Sequence, residues 1–408
     1  MSPFLAVILN QHFRNLWFGQ IISQIAINMM AFVLALRIYQ TTASNTAVSL
    51  LILTIGIPAV FFGAVSGTLV DRWDKRNVLV VTNLVRMLLL LGFFASSETL
   101  PWVYLLVFFI SITTQFFVPA EAPTIPRLVP KEFLLTANSL FTFTYYTSMI
   151  TGFVLSGPVL RFFGPHNVFL FLSSCLALAS LFVSQVPPEG KKESKISLNK
   201  TEFVKVYQEF LNGLQFIAKN GPIFQSIFLL TASQALIASL ASLTPGFADK
   251  ILQIEIEDAS YAILGPAAIG MIIGALLVGQ FGRNLSRQSL INLGIILAGF
   301  LLFLLSTIVR FRNLPLAVLL LFFLGGANAL VDVPANTNLQ ENAPSQVRGR
   351  VYGVLTSLVG GAAILPVMIT GLAADIFGIG KVILAIASLV LFYGIYRVVK
   401  ERYNILSS

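Results

Sequence analysis

Charged side chains are scarce in this chain, and their scarcity indicates its class. Only 11% of the 408 residues are Asp, Glu, Lys or Arg, whereas soluble domains carry about a quarter. None of these four residue types occurs from Ile38 to Val70. A charge-free stretch of that length is typical of helices embedded in lipid. Since 56% of the residues are hydrophobic, the sequence predicts an all-α protein that crosses a membrane many times.

Cysteine and histidine are nearly absent, which limits the available chemistry. The single cysteine, Cys175, cannot form an intramolecular disulfide. The two histidines, His12 and His166, fall on opposite faces of the predicted topology. No glycine loop ending in Lys-Ser or Lys-Thr indicates an ATP-driven pump. We expect no catalytic residues, no metal and no cofactor, so a polytopic membrane enzyme is the weaker alternative.

Apolar stretches of about twenty residues predict about twelve membrane helices. Their centres lie near Ile25, Pro58, Leu88, Leu106, Tyr146, Leu176, Gln234, Ile269, Gly299, Leu321, Ala362 and Ala387. A polar segment that begins at Pro187 separates the two halves. We therefore predict an amino-terminal bundle over 1–186, a cytoplasmic linker over 187–221 and a carboxy-terminal bundle over 222–408. Within the linker, apolar residues at helical spacing from Phe203 to Ile217 predict an amphipathic helix on the inner membrane surface.

Basic residues favour one orientation in the membrane. Lys and Arg concentrate in the segments that are cytoplasmic if the amino terminus is inside, above all in the linker at Lys191, Lys192 and Lys195. The positive-inside rule then places both termini in the cytoplasm. The formal net charge of +9 is better explained by this rule and by contacts with anionic membrane lipids than by nucleic acid.

The two halves repeat short motifs at nearly the same offset. Residues 157–164 and 371–378 each begin with Gly and end with Phe-Gly. Val118-Pro119-Ala120 is likewise answered by Val333-Pro334-Ala335. These repeats predict two pseudo-symmetric six-helix bundles. Two such bundles can rock about a central site and expose it to each side of the membrane in turn.

A charged loop after the second span carries the most specific motif. Gly67-x-Leu69-x-Asp71-Arg72-x-x-Lys75-Arg76 resembles the signature loop of the major facilitator superfamily. The predicted spans, the central linker and Arg348-Gly349-Arg350 extend the resemblance over most of the chain. The resemblance implies the major facilitator fold and transport by alternating access.

The same resemblance implies a conformational latch formed by Gly67, Asp71, Arg72, Lys75 and Arg76. Gly67 has no side chain where two helices cross. Asp71 can lie against the positive amino-terminal end of the eleventh span, near Gln346. The basic residues can hold the loop to anionic lipid and pair with Asp74 or with acidic residues across the domain interface.

Residues 115–130, followed by Ala137-Asn138-Ser139-Leu140, are similar to the branch that includes macrolide efflux proteins and bacterial siderophore exporters. This similarity implies an exporter of a drug, macrolide-like compound or siderophore in the bacterial inner membrane, with protons as the coupling ion. We expect the chain to act as a monomer. A lysophospholipid transporter or flippase of the same superfamily is the alternative, because the same apolar cavity would serve it.

Two carboxylates within the spans are the candidates for proton coupling. Glu121 approaches the cytoplasmic end of the fourth span and Asp332 that of the tenth, so both are expected to lie shallow. Charges in lipid need a partner or a water-filled cavity. Asp332 is the stronger candidate, because the asparagines at 328, 336 and 338 could form a hydrated passage. We expect Arg86, inside the third span, to be a structural tie.

Amide, aromatic and thioether side chains within the spans predict the substrate cavity. The candidates are Asn28, Arg37, Gln115, Tyr145, Tyr146, Met149 and Gln234. Such a wall suits a bulky amphipathic molecule, because Met and aromatic surfaces adapt to varied apolar shapes. Arg37 faces the cavity if its helix continues past Tyr39, and it extends outward if the span ends at Leu36.

The orientation is directly testable. After replacement of Cys175, a cysteine at Ser194 in the linker should resist an impermeant thiol reagent added to intact cells, whereas a cysteine at Ser260 should react. Labelling of the Ser194 site from outside would show that the orientation is inverted.

Overall fold

Helices make up nearly all of the protein in the computed structural model, which describes residues 3–70, 73–95, 99–189, 208, 211, 213–281, 286–343 and 345–407. The first half contains α1 (Gln11–Thr42), α2 (Asn45–Val70), α3 (Lys75–Ala95) and α4 (Leu100–Glu121). The long helix Leu134–Ser184 then bends at Gly164 into α5 (134–163) and α6 (165–184).

The second half repeats this order of elements. It contains α7 (Gly221–Gly246), α8 (Gly265–Phe281), α9 (Arg287–Phe311), α10 (Leu314–Asn342), α11a (Ser345–Ala362), α11b (Ile364–Phe377) and α12 (Ile379–Ser407). Eleven helices within the described ranges are long and apolar enough to cross a membrane, and the bend at Gly164 divides the longest of them. The predicted all-α membrane fold is confirmed.

Local sequence explains where several helices begin. Proline stands in the first turn of α4, α7 and α10. Proline lacks a backbone N–H, but in the first turn an N–H would have no partner within the helix. Ser286 and Asn313 precede α9 and α10, and their side chains accept from the backbone N–H of Ser289 and Leu316. These caps satisfy donors that a helix cannot satisfy itself.

Large apolar side chains cover the outside of the helices. Phe162 is 83% exposed and Phe392 is 75% exposed. Soluble proteins rarely expose large contiguous apolar surface, whereas membrane helices present it to lipid. The exposed aromatic residues therefore support a lipid-facing surface.

Two compact units divide the chain. Unit 1 consists of Met1–Arg37 and Thr54–Asn199, and unit 2 consists of Ile38–Leu53 and Lys200–Ser408. The joined ends of α1 and α2, residues 38–53, thus group with unit 2 rather than with the rest of the amino-terminal half. The predicted boundaries 1–186, 187–221 and 222–408 remain a prediction. Most of the predicted amphipathic helix lies outside the described residues.

Each unit has its own buried core. In unit 1, Phe13, Leu79, Phe117 and Phe141 belong to one apolar cluster, and the rings of Phe13 and Phe141 meet edge to face with centroids 5.5 Å apart. In unit 2 the cluster includes buried residues of α7, α9, α10 and α11a, namely Ile227, Ile291, Val331 and Val354. These clusters tie together helices that are distant in sequence.

Small residues bring α8 and α10 into backbone contact. A Cβ atom on Gly270 would meet the backbone carbonyl of Phe322, and one on Gly325 would meet that of Ala267. Gly274 faces Gly326 at the same crossing. Such packing is typical of membrane helices, where close van der Waals contact takes the place of a hydrophobic driving force.

A buried arginine ties α12 to two neighbouring helices. Arg397 is 7% exposed, and its Nε donates to Oδ1 of Asn292 on α9 over 3.0 Å. With its amide oriented to satisfy this contact, Gln225 on α7 accepts from both terminal nitrogens of Arg397 at 2.9 and 2.8 Å. Asn292 in turn donates to Glu401. The charge of Arg397 is therefore satisfied inside unit 2.

Gly164 and Gly378, which close the two repeated motifs, share one unusual backbone conformation. Gly164 has φ 77° and ψ 170°, and Gly378 has φ 90° and ψ 147°. This region is essentially restricted to glycine. Each glycine ends one membrane helix directly before the next helix begins. The matched geometry supports the duplicated unit that the sequence predicts.

Substitution of either glycine should therefore destabilise the protein. We expect Gly164→Ala to cost about 1–3 kcal/mol of folding free energy, because a Cβ atom strains this backbone region. The measurement is the thermal unfolding midpoint of the purified protein in detergent. Gly279→Ala is the matched control, because Gly279 lies in α8 with no neighbour within 4 Å of its position for a Cβ atom. Equal midpoints for the two variants would contradict the strain argument.

The structure also improves the choice of reporter for orientation. Ser260 is fully buried, so a cysteine there would react slowly from either side. Glu255 lies in the same connection and is exposed. A cysteine at position 255 is therefore the better outer reporter.

Candidate functional site

The described part of the predicted latch is bound within unit 1. Asp74 caps α3 by accepting from the backbone N–H of Asn77 over 3.0 Å. Lys75 therefore pairs with another carboxylate: its Nζ lies 2.8 Å from Oε2 of Glu189, just after α6. Lys75 is 4% exposed. Asp71 and Arg72 lie outside the described residues.

Two further cations hold the segment that follows α6. Arg76 donates to the backbone carbonyl of Ser184. Arg127 donates to the carbonyl of Pro188 over 3.2 Å and lies 3.9 Å from Glu189. The end of α6 and the beginning of the predicted linker are thus anchored to the start of α3 and to Arg127, between α4 and α5. Sequence reasoning expected acidic partners for Lys75 and Arg76 but did not single out Glu189.

The glycines of the latch motif occupy one helix. Gly67 lies in α2, and its surroundings are outside the described side chains. Gly63, four residues earlier, has no neighbour within 4 Å of a Cβ position. The described residues thus form no close helix contact at Gly63, and the crossing predicted at Gly67 stays a prediction.

Unit 1 contains a buried polar cluster around Arg86. Arg86 is 2% exposed and lies near the middle of α3. Its Nη1 donates to Ser23 Oγ over 3.2 Å, and Ser23 donates to Oδ1 of Asn83 over 3.1 Å. The guanidinium carbon stands 4.7 Å from the ring centroid of Phe117. Glu121, which is 6% exposed, is the acidic residue whose charge acts on Arg86.

This cluster is incompletely satisfied by protein groups. Nε and Nη2 of Arg86, Nδ2 of Asn83 and Oε1 of Glu121 have no hydrogen-bond partner among the described residues. Buried polar atoms of this kind are normally satisfied by ordered water or by rearrangement. The cluster agrees with the structural role expected for Arg86. Its unsatisfied atoms could also exchange hydrogen-bond partners.

Unit 2 contains a second membrane-embedded cluster around Asp332. Asn328 donates through Nδ2 to Oδ2 of Asp332 over 3.2 Å. Ser233 on α7 donates to Oδ1 of Asn328 over 2.7 Å, and Sδ of Met271 on α8 lies 3.8 Å from Nδ2 of Asn328. Oδ1 of Asp332 is buried without a hydrogen-bond partner among the described residues. Three helices therefore meet at this carboxylate.

Asp332 lies inside α10 rather than at the end of this helix. The prediction placed it near the cytoplasmic end of its span, but α10 continues from Asp332 to Asn342, about 15 Å further. The span centre predicted near Leu321 was too early, because the polar residues after Asp332 are also helical. Glu121 is the last residue of α4, as predicted.

The candidate cavity residues are placed in different surroundings. The amides of Asn28 and Gln115 donate within their own helices, to the carbonyls of Gln24 at 2.7 Å and Ser111 at 3.3 Å. Asn28 stands at a tight crossing, because a Cβ atom on Gly152 would lie 2.9 Å from its Cβ.

The remaining candidates differ in exposure. Tyr145 is 40% exposed, Met149 and Gln234 are half-buried, and the side chain of Tyr146 is outside the described set. The α1 helix does continue past Tyr39. Arg37 nevertheless donates to the carbonyl of Pro165 over 2.8 Å, and its guanidinium lies 5.4 Å from the ring centroid of Phe169. The described contacts place Arg37 against the start of α6.

The fold and its buried polar clusters define a polytopic α-helical membrane protein of the transport type. A family model of the Major Facilitator Superfamily matches residues 16–366. The chain therefore belongs to the Major Facilitator Superfamily, and it is a small-molecule transporter rather than an enzyme.

Individual relatives agree with this assignment. Macrolide efflux protein A of Streptococcus pyogenes is 25% identical over 400 residues, which cover 93% of this chain and 93% of that protein. The uncharacterized MFS-type transporter YfiS of Bacillus subtilis (strain 168) is 26% identical over 384 residues, which cover 91% and 88% of the two chains. These findings confirm the predicted superfamily and the resemblance to its efflux branch.

A solved structure has the same fold. The crystal structure of nucleoside transporter NupG matches with a TM-score of 0.74 at 15% identity, over 98% of this chain and 99% of that chain. At this level of identity the likeness extends to the fold alone.

The electrostatic coupling of Arg86 with Glu121 can be tested by a double-mutant cycle. We expect Arg86→Met and Glu121→Gln each to lower the thermal midpoint, because each leaves one buried polar group uncompensated. The stability lost by the double variant should be smaller than the sum of the two single losses. The difference should be about 0.5–3 kcal/mol, as is typical of coupled residues. Lys131→Met is the control, since Lys131 is exposed. Additive losses would show that the two residues act independently.

Proposed function

We propose that the protein exports a bulky amphipathic small molecule, such as a drug, macrolide-like compound or siderophore, by alternating access and in exchange for protons. The chain acts as a monomer in the bacterial inner membrane with both termini in the cytoplasm. The observation that carries the proposal is the similarity to macrolide efflux protein A along 93% of both chains.

The chemistry of the spans supports this class of substrate. Asn28, Gln115, Met149 and Gln234 contribute amide and thioether groups but no fixed charge. Such groups bind an apolar body and orient a few polar atoms. They offer little to a phosphorylated sugar or an inorganic ion, which need several fixed charges. A bulky amphipathic molecule therefore fits them best.

Asp332 is the proposed coupling residue. Its neighbours are amide and hydroxyl groups, those of Asn328 and Ser233, whereas Glu121 lies within the field of Arg86. When an arginine compensates the negative charge of a carboxylate, the carboxylate does not need to bind a proton. The carboxylate of Asp332 can be compensated by a proton, and α10 places it far from the helix end. Asp332 is therefore preferred and Glu121 is the second candidate.

The loop from Gly67 to Arg76 is proposed to control the cytoplasmic side. The pairing of Lys75 with Glu189 and the bond from Arg76 to Ser184 fix the end of the loop to α6. Arg72 adds positive charge that can contact anionic lipid. Asp71 is proposed to act on the amino-terminal end of α11a, which begins at Ser345.

A transport assay tests the function. Cells with and without the protein are compared for accumulation of a panel of antibiotics and siderophores. We expect lower accumulation of at least one bulky amphipathic compound in cells that contain the protein. No change across the panel, together with lysophospholipid movement by the purified protein, would replace the exporter with the lipid transporter.

The coupling residue is tested separately in vesicles with an imposed pH gradient. Asp332→Asn should abolish gradient-driven substrate uptake and leave binding intact, because the amide cannot carry the proton. Glu341→Gln is the matched control on the same helix, since Glu341 is exposed and pairs with Arg287 on the surface. Unchanged gradient-driven uptake by Asp332→Asn would exclude Asp332 and favour Glu121 or a proton carried by the substrate.

A further inference from the structure

The end of the hairpin formed by α1 and α2 is held by a carboxylate of another helix. Asp375 lies in α11b, three residues before Gly378, the repeated glycine that ends this helix. Its Oδ1 accepts from the backbone N–H and the side-chain Nδ2 of Asn45, both over 2.9 Å. Its Oδ2 accepts from Ser44 Oγ over 2.6 Å, and from the N–H and hydroxyl of Thr46 over 2.9 and 2.7 Å.

These contacts make Asp375 the amino-terminal cap of α2. The first N–H groups of a helix have no partner within it, and their end carries partial positive charge. Capping residues usually precede the helix directly in sequence. Here the cap comes from a distant helix, so it can leave without unfolding α2. Ser44 stands in the usual cap position and also binds Asp375.

Two glycines allow the hairpin end to approach closely. A Cβ atom on Gly371 of α11b would collide with Ser49 Oγ and the carbonyl of Asn45. A Cβ atom on Gly246 of α7 would collide with Oδ1 of Asn45. The contact is therefore made of small and polar groups at backbone distance.

This contact is better suited to opening than to permanent burial. Oδ1 of Asn45 and Oγ of Ser49 are buried without hydrogen-bond partners among the described residues, and water would satisfy both after separation. Asp375 is itself exposed, so water can replace its partners. Apolar side chains would expose hydrophobic surface on opening, whereas these groups would not.

The position of the contact gives it a role in transport. Most of α1 and α2 belongs to unit 1, but their joined ends, 38–53, group with unit 2. In alternating access the two bundles of such a transporter rock against each other. We propose that Asp375 is a gating residue, whose cap on α2 holds this end of the transporter closed and is released in every transport cycle. The inference rests on the proposed alternating-access function.

A labelling experiment tests the closed contact without a substrate. In the purified full chain with Cys175→Ser, the near-isosteric Ser49→Cys reports opening by its rate of reaction with a maleimide in detergent. Asp375→Asn and Gly371→Ala should each raise this rate several-fold, and the control Gly279→Ala should leave it unchanged. Unchanged rates in both test variants would overturn the proposal. A rise in Gly371→Ala alone would assign the closure to helix packing and overturn the role of Asp375.

A cross-linking experiment tests release during the cycle. Cysteines replace Gln40, at the end of α1, and Glu257 of unit 2, whose side chains are hydrogen-bonded over 2.6 Å, and they are joined by a short bifunctional thiol reagent while Asp375 is kept. We expect cross-linking to abolish transport and reduction to restore it. The control pair replaces Asn15 and Gln185, which are hydrogen-bonded over 3.1 Å between α1 and the end of α6 within unit 1, and its cross-link should be tolerated. Continued transport by the protein cross-linked between positions 40 and 257 would overturn the proposal.

The two experiments separate failure of this inference from failure of the proposed function. If the chain exports no compound of the panel, the labelling rates still report whether Asp375 and Gly371 hold the hairpin end closed. If export is observed and the labelling rates do not change, the gating role is overturned while the exporter remains.

Discussion

Lipid offers no hydrogen bonds, and this constraint determines most of the structure. Backbone groups in the membrane must be satisfied within each helix. Side-chain charges must then find partners between helices, because an isolated charge in the bilayer centre costs several kcal/mol. Arg86 bonds to Ser23 and is influenced by the charge of Glu121 in unit 1, and Arg397 meets Asn292 and Gln225 in unit 2. Polar groups are therefore concentrated at helix crossings, where a transport protein can use them.

The same constraint explains the use of glycine. Helices in lipid gain little from burying apolar side chains against each other, so close backbone packing takes over. Gly270, Gly325 and Gly371 each stand where a Cβ atom would collide with a neighbouring helix. Gly164 and Gly378 serve a different purpose, because their positive φ angles reverse the chain direction between membrane helices. Packing and turning thus depend on the same residue type at different positions.

Properties encoded locally could be predicted from the sequence. The number of spans, the positions of most helix centres and the signature loop all follow from hydropathy and short motifs. The repeated glycines at 164 and 378 could be matched to each other, although their common backbone geometry could not be foreseen. Asp332 was expected near the end of its span, but the polar residues that follow it, including Asn336 and Asn338, continue the helix to Asn342.

Partners distant in sequence could not be predicted. Glu189 was part of a polar linker, and nothing local distinguishes it as the partner of Lys75, over a hundred positions away. Asp375 lay inside a noted repeat, but its contact with Asn45 spans 330 positions. For Arg37 the sequence offered two directions but not its hydrogen bond to the carbonyl of Pro165, 128 positions away. Tertiary packing, rather than local pattern, selects these contacts.

The clamp around Arg397 bears on how the protein is made. Helices enter the bilayer in the order of synthesis, and α12 is the last helix of the described chain. Arg397 lies four residues before the end of the span Ile379–Glu401, and a charged side chain within a span needs a partner. Gln225 and Asn292, which bind this arginine, lie on α7 and α9 and are synthesised earlier. When α12 is inserted, helices synthesised earlier can therefore already supply the partners of its arginine. Insertion of the last helix then depends on the prior assembly of α7 and α9.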